Sequence, residues 1–545
     1  MSRCPGTHRT LPRGALLAAA LGLLGSAAAC SKDDGAAPSA AAEAGSARGN
    51  GAPSGRQGGQ PSQDPEAARR EAIARQWPRV ARVEAVQLTV YAKPDPASPP
   101  VGWVRQGALL RFKEQRSPGP RCRSGFLPVR PRGWLCAGKG LRWLSPEEAA
   151  EALAGPPDAP DGEAGATPVA PRDPAAKEAF RPERSEDPEL RKLEAALPYA
   201  YYLVKEPMVP EYHRLPSREE QRRALAYAQR YLQIRAEEKP RKLERFVAGE
   251  LKGEPRKPAV VRRYLDRGFF VAATAIEVRA RRRFVRTTSG SYVKLAQLER
   301  RRGSPFHGVE LGGPQGRSLP LAFARRAIRP LVRRERPDGT VRFVPDAEAE
   351  PIARQTVVEA WQGRERVGGD VYHRLKLGEQ ERFARAWFIG VAERIEPPFE
   401  LREPQEPWVH VDLSEQTLVV YRGTEPVYAT LVSSGLPEHA TPTGVFEIRQ
   451  KRVSDTMADL GPDAGDDRYR IEDVPWTQYF EGSVALHGAF WHGRFGLQRS
   501  HGCVNLAPRD ARRVFELTWP PLPEGWHGVS TDRTGFRASR VVVTP

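Results

Sequence analysis

Near the C-terminal end of the chain, His487 stands in "LHGAFWH" and His501 and Cys503 stand in "RSHGCVNL". These residue types together can carry out acyl transfer. A thiolate attacks a carbonyl carbon, so the thiol must lose its proton, and a neighbouring imidazole is the usual means of holding its pKa below the free value of about 8.5. His501 sits two residues from Cys503 on a tight Ser-His-Gly-Cys turn, so its ring is expected to point away from the sulfur, and His487 must be brought there by the fold. Gly502 lets the backbone approach a reacting carbonyl, and the amides of His501, Gly502 and Cys503 could then form an oxyanion hole. A zinc site from His487, His492, His501 and Cys503 uses the same side chains. However, one residue between His501 and Cys503 is an awkward bite for a tetrahedral ion, and no metal or other cofactor is expected. An inert buried cysteine is the bland alternative.

The elements that must position these groups follow from periodicity. "WVHVDLSEQTLVVYRGTEPVYATLVSSG" alternates as two half-buried strands with a third after "YRGTEP". "TPTGVFEI" and "VPWTQYF" read as further short extended segments, and "DTMADLGPDAGDDRYR" as a long polar loop. This loop lacks the spaced ligands and terminal glutamate of a calcium-binding loop. The closing piece is helical from near Pro508 and Asp510, with Val514 and Leu517 turned inward.

"TPTGVFEI", "LHGAFWH" and "SHGCVNL" in this order resemble the YkuD-type L,D-transpeptidase catalytic domain, whose pattern is HG, a variable gap, then SHGC. The resemblance covers roughly a quarter of the chain, residues 404–545. It implies a β-sandwich or barrel with a few helices, Cys503 as nucleophile, His487 as its base and the Gly488 carbonyl as the group orienting the ring. His501, Gly502 and Cys503 would line the oxyanion hole. Ser500 and Asn505 would brace the loop or touch substrate, with Trp491, Trp476 and Tyr479 walling the pocket under the polar loop as a lid. The implied partners are peptidoglycan stem peptides. Cys503 would cleave a tetrapeptide before its terminal D-alanine and pass the acyl group to an amine. Hydrolysis by the same thiol (carboxypeptidase or amidase) and a non-catalytic peptidoglycan-binding scaffold are the alternative readings.

At 545 residues the chain has room for several domains of about 150 residues. Residues 1–30 have a basic start (Arg3, Arg9, Arg13), an apolar run and small residues ending at Cys30, which resembles a bacterial lipoprotein signal. This predicts export, a lipid on Cys30 and attachment to the periplasmic face of a membrane. Residues 31–75, rich in Ala, Gly, Ser and Pro, read as a disordered tether, and 147–190 as a second Pro/Ala-rich linker. Between them, residues 76–146 alternate in short strands and resemble a bacterial SH3-like small barrel. Its Cys122 and Cys136 flank a strand-turn-strand pattern that could pair them in an oxidising compartment. With Cys4 leaving in the signal and Cys30 acylated, Cys503 is the one cysteine left over.

Residues 191–403 read as a mixed, β-rich accessory region. It holds a helix capped by Ser217 and Glu220, with Leu225, Ala228 and Leu232 on one face, and arginine runs ("RARRR", "LERRR") read as solvated faces. The whole chain is thus expected to be a mainly β multidomain protein. Its net charge of +18 suits anionic envelope surfaces, and no motif supports nucleic-acid binding.

Overall fold

The computed structural model describes residues 65–154 and 178–545, apart from 139, 183–184, 313–315, 462–467 and 533. The Cys30 signal and residues 31–64 of the expected tether lie outside these residues. The tether's end, Pro65–Gln76, is helical. Within the expected linker, Pro146–Ala154 and Pro188–Ala195 are helices and Glu178–Phe180 is a strand, while residues 155–177 are outside the described part. Proline at the first helical turn and the Asp187 N-cap set the start of Pro188–Ala195.

The C-terminal unit is a two-sheet sandwich. Its first sheet runs in the order Val309–Glu310, Glu425–Leu431, Thr417–Arg422, Pro407–Asp412, Arg540–Thr544, Gly444–Glu447, with only the Pro407–Asp412/Arg540–Thr544 neighbours parallel. In the second, Gly528–Ser530, Gln450–Asp459, Tyr469–Glu481 and Val484–Gly488 pair antiparallel in turn, and Val504–Leu506 adds parallel to Val484–Gly488. Val409, Val411, Leu418 and Val420 pack with Phe480, Leu486, Val504 and Leu506, and Ala511, Val514 and Leu517 of the helix Pro508–Leu517 close the layer. Each such buried side chain contributes roughly 1.5–3 kcal/mol.

Two readings of this unit change. The strands expected to be half-buried are buried on both faces: Trp408, Val419, Tyr421 and Ala429 pack under Phe306, Leu311, Phe323 and Ala392 of the accessory region. Alternation in "WVHVD" therefore separates two cores rather than core from solvent. The expected polar lid is largely a hairpin, since Gln450–Asp459 pairs with Tyr469–Glu481 as far as Asp459↔Tyr469, and residues 462–467 at its tip are outside the described part.

The N-terminal module consists of the sheet Leu109–Phe112, Arg79–Val83, Leu141–Trp143 and a second set of strands, with Cys122 and Cys136 joined by a disulfide (Cα–Cα 5.8 Å). Its strand Pro100–Arg105 pairs with Gly528–Ser530, so it is continuous with the second sheet of the sandwich. In the accessory region, two units repeat one element order: a hairpin, a third strand, a short 3-10 turn and a fourth strand. They are Phe270–Arg279 through Leu298–Arg301 and Trp361–Val367 through Ile389–Ala392. The helix Arg218–Ala236 starts at a complete Ser217/Glu220 capping box. Leu225 is 39% exposed, because it lies about 100° round the helix from the buried Ala224. The "RARRR" run is not simply solvated: Arg279 donates to the Leu215 carbonyl, and Arg282 donates to Gln221 Oε1 (2.5 Å) and the Pro216 carbonyl (2.9 Å). Carbonyls at a buried helix entry need donors, and these arginines supply them.

Candidate active site

The strand Val484–Gly488 runs parallel to Val504–Leu506, with Leu486 opposite Val504 and His487 opposite Asn505. Side chains alternate along a strand, and Leu486, Val504 and Leu506 are all in the core, so His487 and Asn505 share the other face. Cys503, one residue ahead of its strand, falls on that same face, diagonal to His487. A one-residue slip in this pairing would turn one of the two into the hydrophobic layer.

His487 is 3% exposed, and its Nδ1 lies 3.4 Å from the Gly488 carbonyl oxygen. With the Nδ1 proton directed at that carbonyl, Nε2 keeps its lone pair. Gly488 leaves little room for a side chain, since a Cβ there would meet Pro475 Cγ at 3.0 Å and Ala511 Cβ at 3.2 Å. Burial pushes the imidazole pKa down to about 4, against the pull of the Gly488 carbonyl. Cys503 is a half-buried free thiol whose sulfur lies 3.7 Å from the Ser483 carbonyl oxygen. Burial pushes this thiol up to about 11, partly offset by the Ala485 amide. Burial thus works against the lowered thiol pKa expected from the sequence. Desolvation disfavours both charged forms, the thiolate and the imidazolium.

The turn before the cysteine is built from its own side chains. Ser500 Oγ donates to the Cys503 carbonyl and accepts from the Gly502 N–H at 3.2 Å. Gly502 has φ +111°, while the nearest atoms to a Cβ there are 3.7 Å and 3.8 Å away, so the backbone conformation rather than space requires glycine. Its carbonyl accepts from Thr441 Oγ1 (2.8 Å), which also accepts from the Gly435 N–H (2.9 Å). The Gly502 N–H is thus engaged by Ser500, and the residue's backbone conformation shapes the turn.

The remaining expected residues divide. Trp491 lies beside the histidine, with ring centroids 5.7 Å apart. The Tyr479 hydroxyl donates to Asp455 (3.0 Å); burial raises its pKa, with Asp455 and Cys503 adding to the shift. Trp476 does not join them. Its indole N–H donates to the Ala196 carbonyl (2.7 Å) and its ring packs on Phe515, on the core side. Asn505 Nδ2 lies 3.0 Å from His492 Nε2, so its amide braces the loop after His487. His492 Nδ1 in turn accepts from the Arg494 N–H (3.2 Å), and burial, with Arg499 next, pushes the ring down to about 3. His501 is exposed and flanked by His439 (4.8 Å) and Tyr469 (5.9 Å).

Thr441 and Tyr469 were not singled out in the sequence, and His492 entered it only as one of four zinc-ligand types. Thr441 opens "TPTGVFEI", so its motif was visible although its partner, a carbonyl far along the chain, was not.

Residues 406–525 match the model of the YkuD family, the L,D-transpeptidase catalytic domain. YciB of Bacillus subtilis, whose name places it with the L,D-transpeptidases, is 27% identical over 121 residues, 20% of this chain and 59% of that protein. The chain thus spans about three-fifths of that relative's length. Among solved structures, a cysteine-to-serine mutant of the Enterococcus faecium L,D-transpeptidase is 21% identical, covering 28% of this chain and 55% of that one with a TM-score of 0.21. An L,D-transpeptidase from Mycobacterium smegmatis is 19% identical, covering 38% and 89%, with a TM-score of 0.22. Residues 406–525 thus carry a segment similar to the YkuD-type L,D-transpeptidase catalytic domain.

Proposed function

We propose that the chain is an exported L,D-transpeptidase that crosslinks peptidoglycan stem peptides through a Cys503 thioester. The observation that carries this reading is the shared face of His487 and Cys503 on a parallel strand pair, with the Gly488 carbonyl at His487 Nδ1, inside a segment that matches the family model. In the first half-reaction His487 Nε2 takes the thiol proton as sulfur attacks the carbonyl before the terminal D-alanine. Oxygen then carries negative charge toward the amides of His501 and Cys503. Collapse breaks the C–N bond, and the proton on His487 passes to the departing amine, so D-alanine leaves and a thioester remains. In the second half an amine of a neighbouring stem attacks, gives its proton to His487, and thiolate leaves to recover that proton. Since burial disfavours both charged forms, proton transfer in this reading accompanies attack rather than preceding it.

In this reading Cys30 carries a lipid that holds the enzyme at the membrane, and the N-terminal module is an SH3-like unit beside the wall. The test is to incubate the purified protein with disaccharide tetrapeptide and to weigh the products. Crosslinked dimer supports transpeptidation, and tripeptide alone indicates that water resolves the thioester. If neither forms, and Cys503→Ala is indistinguishable from the parent, the reading is wrong.

A further inference from the structure

The aromatic wall beside the cysteine site is not supplied by the catalytic domain alone. Trp491, next to His487, also meets Phe270 of the accessory region, with ring centroids 6.4 Å apart. Phe270 lies edge-on to Phe490 at 5.4 Å, and its strand pairs in parallel with the catalytic strand at Ile471. Behind this layer the packing is closed: Tyr201 stacks on Phe490 at 3.9 Å with planes 21° apart, and its hydroxyl donates to the Asp473 carbonyl (2.5 Å). Phe490, Tyr201 and Ile471 are buried. By contrast, Phe270, Trp491, Met457 and Tyr469, which pack against this cluster, are only partly buried. Tyr469 continues the strip to His501, and its pKa, raised chiefly by burial, is raised further by Cys503.

A rigid backing under a partly exposed apolar front beside His487, continued by Tyr469 toward His501, is the build of a substrate wall, not of a core. Aromatic faces on such a wall accept CH-rich surfaces, and the donor muropeptide offers these in its aliphatic stem and sugar rings. We propose that Phe270, from the accessory region, is a specificity-determining residue of the cysteine site and forms with Trp491 the wall that takes the apolar face of the acyl donor. This deepens the transpeptidase reading and rests on it. Phe270 takes no part in the chemistry, and its effect is on the binding of extended donors.

The experiment compares the parent protein with Phe270→Ala, and with Phe270→Leu should the alanine variant fail to fold. It measures KM and kcat for disaccharide tetrapeptide and the rate at which iodoacetamide alkylates Cys503. The expected result is a KM raised about 3- to 10-fold, with kcat and alkylation within about twofold of the parent. A folded variant with the parent's KM overturns the inference, as does one in which alkylation changes in step with KM, since that reports a disturbed cysteine. A parent protein with no turnover brings down the transpeptidase reading and this inference together. A parent that turns over while the variants match it brings down only the inference.

Discussion

Arg105 of the N-terminal module donates from Nη1 to Asp473 Oδ1 of the catalytic domain at 2.5 Å, and both side chains are largely buried. Asp473 also accepts from Ser454 (2.8 Å) and from Thr288 of the accessory region, so one carboxylate joins all three parts of the chain. Burial alone would raise the Asp473 pKa, but Arg105, Thr288 and Ser454 outweigh it and hold the carboxyl below its ordinary value.

Arg105→Ala leaves that charge buried without its main partner and is expected to cost about 3–5 kcal/mol, read as a fall in the denaturant midpoint. Because the folded pKa of Asp473 is depressed, its stabilisation is present above the ordinary carboxylate pKa of about 3.9 and is lost as pH falls through the lower folded value. The parent should therefore lose stability in acid more steeply than Arg105→Ala. Parallel acid-unfolding curves would contradict this assignment.

A neutral thiol–imidazole pair, the form that burial favours, predicts a distinctive pH dependence. Alkylation of the substrate-free Cys503 should climb about tenfold per pH unit through the neutral range and level off only near the thiol value of about 11. Turnover needs unprotonated His487 and should fall as pH drops through about 4. A flat alkylation rate across neutral pH would reveal a resident thiolate and refute the neutral pair.

Ser500→Ala frees both the Cys503 carbonyl and the Gly502 N–H. Loss of this brace is expected to lower kcat about 10- to 100-fold by letting the nucleophile wander, with a fall in stability of about 1–3 kcal/mol. Ser500→Thr, which keeps the hydroxyl, should recover part of kcat. Equal losses in both variants would point to packing instead.

Gly488→Ala forces a methyl against Pro475 and Ala511 and shifts the carbonyl that orients His487. Overpacking of this kind costs about 1–3 kcal/mol, and steady-state assays should show kcat falling more than KM rises. An active, fully stable variant would show that the ring is held by other means.

The candidate reactive residues were legible in the sequence because the chemistry proposed for them is local: a lone cysteine in a Ser-His-Gly-Cys turn and an upstream His-Gly are informative through type and order alone. The helix Pro508–Leu517 and the Ser217/Glu220 cap were legible for the same reason, since proline, caps and apolar period act within a turn or two. Residue type and order thus settled which groups could react and which short segments would carry them.

How those groups stand was settled by the assembled fold. Burial is a property of that assembly, so the raised thiol and lowered imidazole could not be read from neighbours in sequence. The engagement of Gly502 by Ser500, and the anchoring of Trp476 to Ala196 rather than beside Cys503, depend on contacts and backbone torsions that spacing does not encode. The accessory region gave no chemical signal because its contribution, Phe270 against Trp491, is a bare apolar contact between distant segments. Such contacts carry no motif, since any side chain of similar shape and apolarity would satisfy them.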